Sequence, residues 1–249
     1  MDTNFRICAV IPVYRHGETV RGVLQSLADL KIPAVLVDDG NTEPDKSKIA
    51  EAAAAFPGTE LVVLSKNRGK GGAVSEGLLR ARELGYTHAL QVDADGQHDA
   101  SSFAFFEKAA RKKPGNLIAG FPLYDASVPK SREIGRKITN FWVMLETLSF
   151  DIPDSMCGFR VYPLKLVCPV LEKGLFDYRM GFDIEIFVRL HWAGIQFSFY
   201  PVKVVYPENG VSNFRVFRDN AAISKTHTLM FLGMILRLPK LLLRRLRKR

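Results

Sequence analysis

Cysteine is scarce in this chain: Cys8, Cys157 and Cys168 are the only three, and no two of them form a C-x-x-C pair. An odd, dispersed set argues against a disulfide framework or a zinc site and fits a reducing compartment. No run of eighteen or more apolar residues occurs, so no membrane-spanning helix is expected. The opening Met-Asp-Thr-Asn offers neither the basic segment nor the long apolar stretch of a secretory signal, and none is expected. The P-loop pattern G-x-x-x-x-G-K-[ST] is missing, as are internal repeats and low-complexity segments.

What is there describes an ordinary globular chain of 249 residues, 47% hydrophobic and 24% charged. The net charge of +9 is unevenly placed. Arg237, Lys240, Arg244, Arg245, Arg247, Lys248 and Arg249 crowd the end of the chain with no acid among them. A nucleic-acid binder spreads cations over a domain face, so no nucleic-acid partner is expected. The expected division is a domain over 1–226 followed by an amphipathic, basic helix over 227–249.

Strand-like and helix-like segments alternate through the first 120 residues. Ile7–Val13, Ala34–Val37, Leu61–Leu64, His88–Val92 and Leu117–Gly120 are short apolar runs. Between them, apolar residues recur at helical spacing, as in Val20, Val23, Leu24, Leu27 and Leu30. Strands separated by helices predict an α/β fold with a mostly parallel sheet covered on both faces. Helices are expected again at 134–150 and 182–192, and a strand at 195–205.

In open α/β sheets, ligands bind beyond the carboxyl ends of the strands. Polar clusters follow four consecutive strands: Tyr14-Arg15-His16, Asp38-Asp39, Asn67-Arg-Gly-Lys-Gly-Gly72 and Asp93-Ala-Asp-Gly-Gln-His98. The glycine-rich turn can bring backbone N–H groups and the Lys70 ammonium to a phosphate. Asp93 and Asp95, one residue apart at a strand end, suit a hard cation such as Mg²⁺ or Mn²⁺ that completes its shell with substrate phosphates.

These segments, in this order, resemble family 2 glycosyltransferases of the GT-A fold. The motifs are Val10-Ile-Pro-Val-Tyr14, Val37-Asp-Asp-Gly40, Asn67-Arg-Gly-Lys-Gly-Gly-Ala73 and Val92-Asp-Ala-Asp-Gly-Gln-His98. Asp154-Ser-Met-Cys-Gly-Phe-Arg160, Phe182-Asp-Ile-Glu-Ile186 and Gly210-Val-Ser-Asn-Phe214 resemble later blocks of the polyprenyl-phosphate sugar synthases. The resemblance implies that Pro12, Tyr14 and Asp39 hold base and ribose, with Lys70 nearby. It implies that Asp93 meets the sugar–nucleotide and that Asp95, helped by Gln97, ligates the metal. Arg132, Arg136, Arg160, Ser212 and Arg215 become candidates for acceptor and phosphate contacts. Four positions depart from the pattern: Arg15-His16 replaces Asn-Glu, Cys157 replaces serine and Asn213 replaces lysine.

The implied reaction moves a hexose from a UDP- or GDP-sugar, with inversion, to a lipid-linked acceptor, foremost polyprenyl phosphate. A glycan or glycolipid hydroxyl is the alternative acceptor, and a non-catalytic nucleotide-sugar-binding protein is a second alternative. An anionic phosphate needs no general base, whereas a hydroxyl does. Glu185 is the preferred base, then Asp183, with Asp154 behind them. Asp183 and Glu185 lie about 200° apart on a helix, so they cannot share one face. Leu229–Leu243, apolar but interrupted by Arg237, Pro239 and Lys240, is expected to lie on an anionic membrane surface. A peripheral location on the cytoplasmic face of the membrane is therefore expected.

Overall fold

The computed structural model describes residues 4–96, 100–123, 130–175, 177–203 and 216–247. Of Ala100, residues 130–132, Lys203, Val216 and Arg247 only the backbone is described. Gln97, Ser212 and Arg215 lie outside the described residues, as does the side chain of Arg132.

The first half is built as the periodicity predicts. Strand β1 (Ile7–Val13) leads to α1 (Val20–Asp29), β2 (Ala34–Asp38) to α2 (Asp45–Ala55), and β3 (Thr59–Val63) to α3 (Lys70–Glu83). Then β4 (His88–Gln91) leads to α4 (Ala100–Lys112) and β5 (Asn116–Leu123) to α5 (Lys130–Thr147). Side chains alternate across each strand. Ile7, Ala9, Ile11 and Val13 of β1 pack with α1, α2 and α4. Cys8 and Val10 face the opposite layer, with Ala73, Val74 and Leu78 of α3. Burial on both faces is what near-continuous apolar strands require.

The sheet has seven strands in the order β3-β2-β1-β4-β6-β5-β7. Strands β1 to β4 are mutually parallel where they pair. The chain winds outward from β1 through β2 and β3, then returns to place β4 on the other side of β1. The crevice between the carboxyl ends of β1 and β4 is therefore a topological switch point, where α/β sheets take their ligands.

Two elements were not legible in the periodicity. Strand β6 (Arg160–Pro163) is antiparallel and lies between β4 and β5, and α6 (Leu164–Leu171) follows it directly. A four-residue strand opening on an arginine has no alternation to reveal it. Helix α7 (Phe182–Ala193) and edge strand β7 (Gln196–Lys203) follow, β7 pairing parallel with β5.

The chain ends in two helices, not one: α8 (Val216–Ile235) and α9 (Leu238–Arg247), with a bend of 70° between them. Pro239, in the first turn of α9, fits such a break. Helix α8 runs through the expected boundary at 226/227, burying Met230 and Met234 in the core with α7. Among the described residues no single helix is long and apolar enough to cross a membrane, although the bent pair passes by length and composition together.

Candidate active site

A cleft of about 730 Å³ opens at the switch point. Each of the first four strand ends supplies part of its lining. Pro12 to His16 come from β1, Asp39 from β2, Asn67, Gly69 and Lys70 from β3, and Asp93 to Asp95 from β4. Met156, Arg179, Met180, Asp183, Ile184 and residues of α8 close the other side.

The two aspartates after β2 divide their work. Asp38 is buried and ties down Asn41, whose amide also bonds the Val13 carbonyl at 2.9 Å. Asn41 Oδ1 in turn accepts from the Arg15 backbone N–H at 2.8 Å. That bond holds Arg15 at φ 60°, a left-handed conformation uncommon for a side-chain-bearing residue. The turn sets Tyr14 at the cleft wall, with the Arg15 guanidinium over its ring. Asp39 faces the cleft and organises the glycine-rich turn. It accepts from the Arg68 N–H at 2.6 Å, the Gly69 N–H at 3.0 Å and the Asn67 side-chain amide at 2.9 Å. Burial pushes its carboxyl above the usual range, against the lowering pull of the Arg68 and Gly69 donors.

Gly69 stands at φ 82°, where α3 begins. A Cβ there would lie 2.6 Å from Arg179 Cγ, so glycine is required twice over. Arg179 reaches across to Asn67, bonding its side-chain oxygen at 3.0 Å and its carbonyl at 3.3 Å. Asp177 shapes this segment by accepting from the Arg179 and Gly181 N–H groups. Arg179 and Arg218 were not among the expected site residues. The Asp177-x-x-x-Gly181 turn was the available signal for Arg179, and nothing in the sequence marks Arg218.

Lys70 opens α3, and its ammonium lies 2.7 Å and 2.9 Å from the two carboxylate oxygens of Asp93. Burial works against the ammonium, but Asp93 and Asp183 outweigh it and hold Lys70 protonated above its ordinary range. The loop that carries Asp95 is steadied where the Thr19 hydroxyl donates to the Ala94 carbonyl at 2.6 Å.

Several expected site residues fall elsewhere. Glu185, the preferred base, is fully buried behind the cleft, accepting from the Asp177 N–H at 2.9 Å and from Arg189 at 2.6 Å. Asp183 is the carboxylate that faces the cleft, as the separation of the two on one helix requires. Arg160, expected among the phosphate contacts, is also fully buried. Its guanidinium donates to the carbonyls of Cys157 and Ser155 and to the Tyr162 hydroxyl, pairs with Asp183 at 2.8 Å, and stacks over the Phe187 ring. A planar cation with that many partners braces the cleft floor and has no face left for a ligand. Arg136 pairs with Asp154 at 2.6 Å outside the cleft lining. Asp154 itself caps a turn through the Met156 and Cys157 N–H groups, so it is not a base facing the cleft.

Among the described residues no three His, Cys, Asp or Glu side chains gather into a metal-binding cluster. The donors that line the cleft still fit a hard divalent cation. Mg²⁺ and Mn²⁺ settle for one or two carboxylates when water and diphosphate oxygens supply the rest. Asp93 and Asp95 are the carboxylates that the end of β4 brings to the cleft, Asp93 paired with Lys70.

The family model for glycosyl transferase family 2 matches residues 8–166, which span all four strand-end clusters. The chain belongs to that family. Its relatives include the dolichyl-phosphate β-glucosyltransferase of Dictyostelium discoideum, 27% identical over 204 residues. That match covers 74% of this glycosyltransferase and 61% of the Dictyostelium protein. The undecaprenyl-phosphate mannosyltransferase of Micrococcus luteus is 22% identical over 218 residues, covering 83% of this chain and 86% of that one. The expected resemblance to polyprenyl-phosphate sugar synthases therefore holds. Among solved structures, the mannosyltransferase PcManGT from Pyrobaculum calidifontis, in complex with GDP-Man and Mn²⁺, superposes with a TM-score of 0.59 at 15% identity. The match covers 96% of this chain and 74% of that one, and it shows the shared GT-A fold.

Proposed function

We propose that this glycosyltransferase moves a hexose from a UDP- or GDP-linked donor to polyprenyl phosphate at a membrane surface, with inversion and with Mg²⁺ or Mn²⁺ at Asp95. The observation that carries the reading is the composition of the cleft: Tyr14, Asp39, the Asn67–Lys70 turn, and Asp93 with Asp95, from four adjacent strand ends, line one space. Tyr14, Pro12 and Asp39 would face the base and ribose. Lys70 and the Asn67–Gly69 turn would face the diphosphate, and Asp93 the sugar.

A divalent cation bound at Asp95 would supply Lewis-acid neutralisation of the charge that develops on the departing nucleoside diphosphate. The protein's own groups do the rest. The Lys70 ammonium offsets diphosphate charge, Arg179 holds the turn that seats the nucleotide, and Arg218 presents a cation from α8. A phosphate acceptor is anionic at neutral pH and needs no proton removed. The lipid part of the proposal draws support from α8 and α9. Leu232, Leu236, Leu242, Leu243 and Leu246 are exposed there beside the terminal basic cluster. Together they describe a surface for an anionic bilayer, on the cytoplasmic side if the compartment is reducing. Asp183 in the cleft favours one second reading, a hydroxyl acceptor with Asp183 as general base.

The test is purified protein with a panel of UDP- and GDP-sugars, Mg²⁺ or Mn²⁺, and polyprenyl phosphate or glycolipid acceptors, scored by released nucleoside diphosphate. Turnover with a polyprenyl phosphate that collapses in Asp95→Ala is expected. Unchanged turnover in that variant would remove the metal from the proposal. Turnover with glycolipid hydroxyls alone would remove the phosphate acceptor.

A further inference from the structure

A helix N-terminus is a poor place for a cation, because its exposed N–H groups already carry partial positive charge. Lys70 nevertheless opens α3, with its ammonium laid across both oxygens of Asp93 at 2.7 Å and 2.9 Å. The contact is seated from below by Gly158. A Cβ on that residue would lie 2.8 Å from Lys70 Nζ and 3.0 Å from Asp93 Oδ2. On its far side, Asp183 is paired with buried Arg160 at 2.8 Å. Asp183 thus has Arg160 as its direct partner, and Lys70 has Asp93 as its own. Across the cleft floor the charges alternate: Arg160, Asp183, Lys70, Asp93.

We infer that Lys70 is a built-in counter-cation that makes divalent-cation binding beside Asp93 and Asp95 conditional on the nucleotide. The inference rests on the reading that Asp95 holds the metal. With no nucleotide present, a divalent ion approaching Asp95 meets the Lys70 ammonium where it would otherwise feel a second carboxylate. Repulsion between two like charges in a partly desolvated cleft is stronger than in bulk water. A nucleoside diphosphate reverses the balance. Its oxygens offer Lys70 a new partner, which the flexible four-carbon stem can reach. They also offer the metal the ligands that Asp95 lacks. Once Lys70 turns to the diphosphate, Asp93 is released beside the sugar. Metal and Asp93 are thereby committed only when the donor is in place.

Electron paramagnetic resonance of Mn²⁺ tests this without reference to turnover. In the native chain, Mn²⁺ alone is expected to bind weakly and to bind tightly once UDP or GDP is added. In Lys70→Met, Mn²⁺ alone is expected to bind about tenfold tighter than in the native chain. Metal-free UDP or GDP, followed by calorimetry, is expected to bind that variant more weakly. Lys70→Arg keeps the charge and is expected to leave Mn²⁺ alone weakly bound. Asp93→Asn gives an independent arm: with its partner neutralised, Lys70 is free for phosphate, and metal-free UDP or GDP is expected to bind more tightly than to the native chain. Equal or weaker Mn²⁺ binding in Lys70→Met overturns the inference and leaves the metal reading intact, provided Mn²⁺ still binds the native chain together with UDP or GDP. Failure of Mn²⁺ to bind the native chain with either diphosphate overturns both.

Discussion

At the residue scale, the two carboxylates of the first turn of α7 have opposite situations and should have opposite phenotypes. Asp183 faces the cleft, while Glu185 is buried between the Asp177 N–H and Arg189. With a phosphate acceptor, Asp183→Asn should lower kcat by no more than about tenfold, since no general base is required. A loss of about 10²- to 10⁴-fold would instead favour the hydroxyl acceptor. Glu185→Gln should act on stability, by about 1–3 kcal/mol, because it disturbs a buried acceptor with two donors. Urea unfolding reads this directly, and a large loss of turnover at unchanged stability would restore Glu185 as a base. The cysteines give a pH prediction. Burial pushes the Cys8 thiol up to about 12 and those of Cys157 and Cys168 up to about 11. Their ordinary value is 9.0, so the unfolded chain loses these protons first as pH rises. The native state then holds more protons, and stability falls with pH from about pH 9 through the raised values. An aromatic disulfide reagent at pH 8 should find no reactive thiol in the native chain and three after denaturation. Fast reaction of a native thiol would contradict their burial.

At the element scale, the strand-end clusters were legible because each follows an apolar run, and a short run between helices fixes where the strand stops. That is how the sequence places Asp39, Lys70, Asp93 and Asp95 at strand ends, and all four line the cleft. Which residues of α7 and β6 face the cleft was not legible. Arg160 carries charge in a stretch with no strand-like alternation, and only its antiparallel insertion between β4 and β5 buries it. Once buried, it joins the 154–158 loop to β6 and to α7, so its loss should be felt as unfolding. Arg160→Met leaves Asp183 without its ion-pair partner and strips the Ser155 and Cys157 carbonyls of a donor. Breaking a buried pair in this way typically costs about 3–5 kcal/mol. Tyr162→Phe, which removes one hydroxyl between Arg160 and Gln91, should cost about 1 kcal/mol. Chemical denaturation of the two variants checks the order. If Arg160→Met kept full stability and only weakened acceptor binding, the phosphate-contact expectation would be right after all.

At the scale of the whole molecule, the end of the chain serves two surfaces. The start of α8 lines the cleft through Arg218, Asp219 and Ile223, and its middle buries His227, Met230 and Met234. His227 meets the buried Glu146 of α5 at 2.7 Å. Helix α9 is folded down on the domain, where Arg244 donates to the carbonyls of His191 and Trp192 at the end of α7. Leu241 is buried beneath it, while Leu242, Leu243 and Leu246 point outward. A basic, apolar terminal segment was legible in the sequence; its division into a core helix and a surface helix was not, because hydrophobicity alone does not say which face a neighbour covers. The division decides where the chain can be cut. Removing residues 237–249 should preserve the fold and the affinity for UDP or GDP, at a cost of about 3–5 kcal/mol for the two lost carbonyl bonds at α7 and the burial of Leu241. Removing residues 227–249 should yield an unfolded or aggregated product, because it strips the core of Met230 and Met234. Each cation near an anionic surface contributes about 1 kcal/mol, so the terminal cations are enough for reversible attachment even with Arg244 held at α7. The full chain should therefore sediment with phosphatidylglycerol vesicles and much less with neutral phosphatidylcholine, and salt should weaken the binding. The chain cut after residue 236 should lose most of that binding while Leu242→Glu weakens it in the intact chain. Undiminished vesicle binding by the shortened chain would place the membrane contact elsewhere on the molecule and separate α9 from the lipid acceptor.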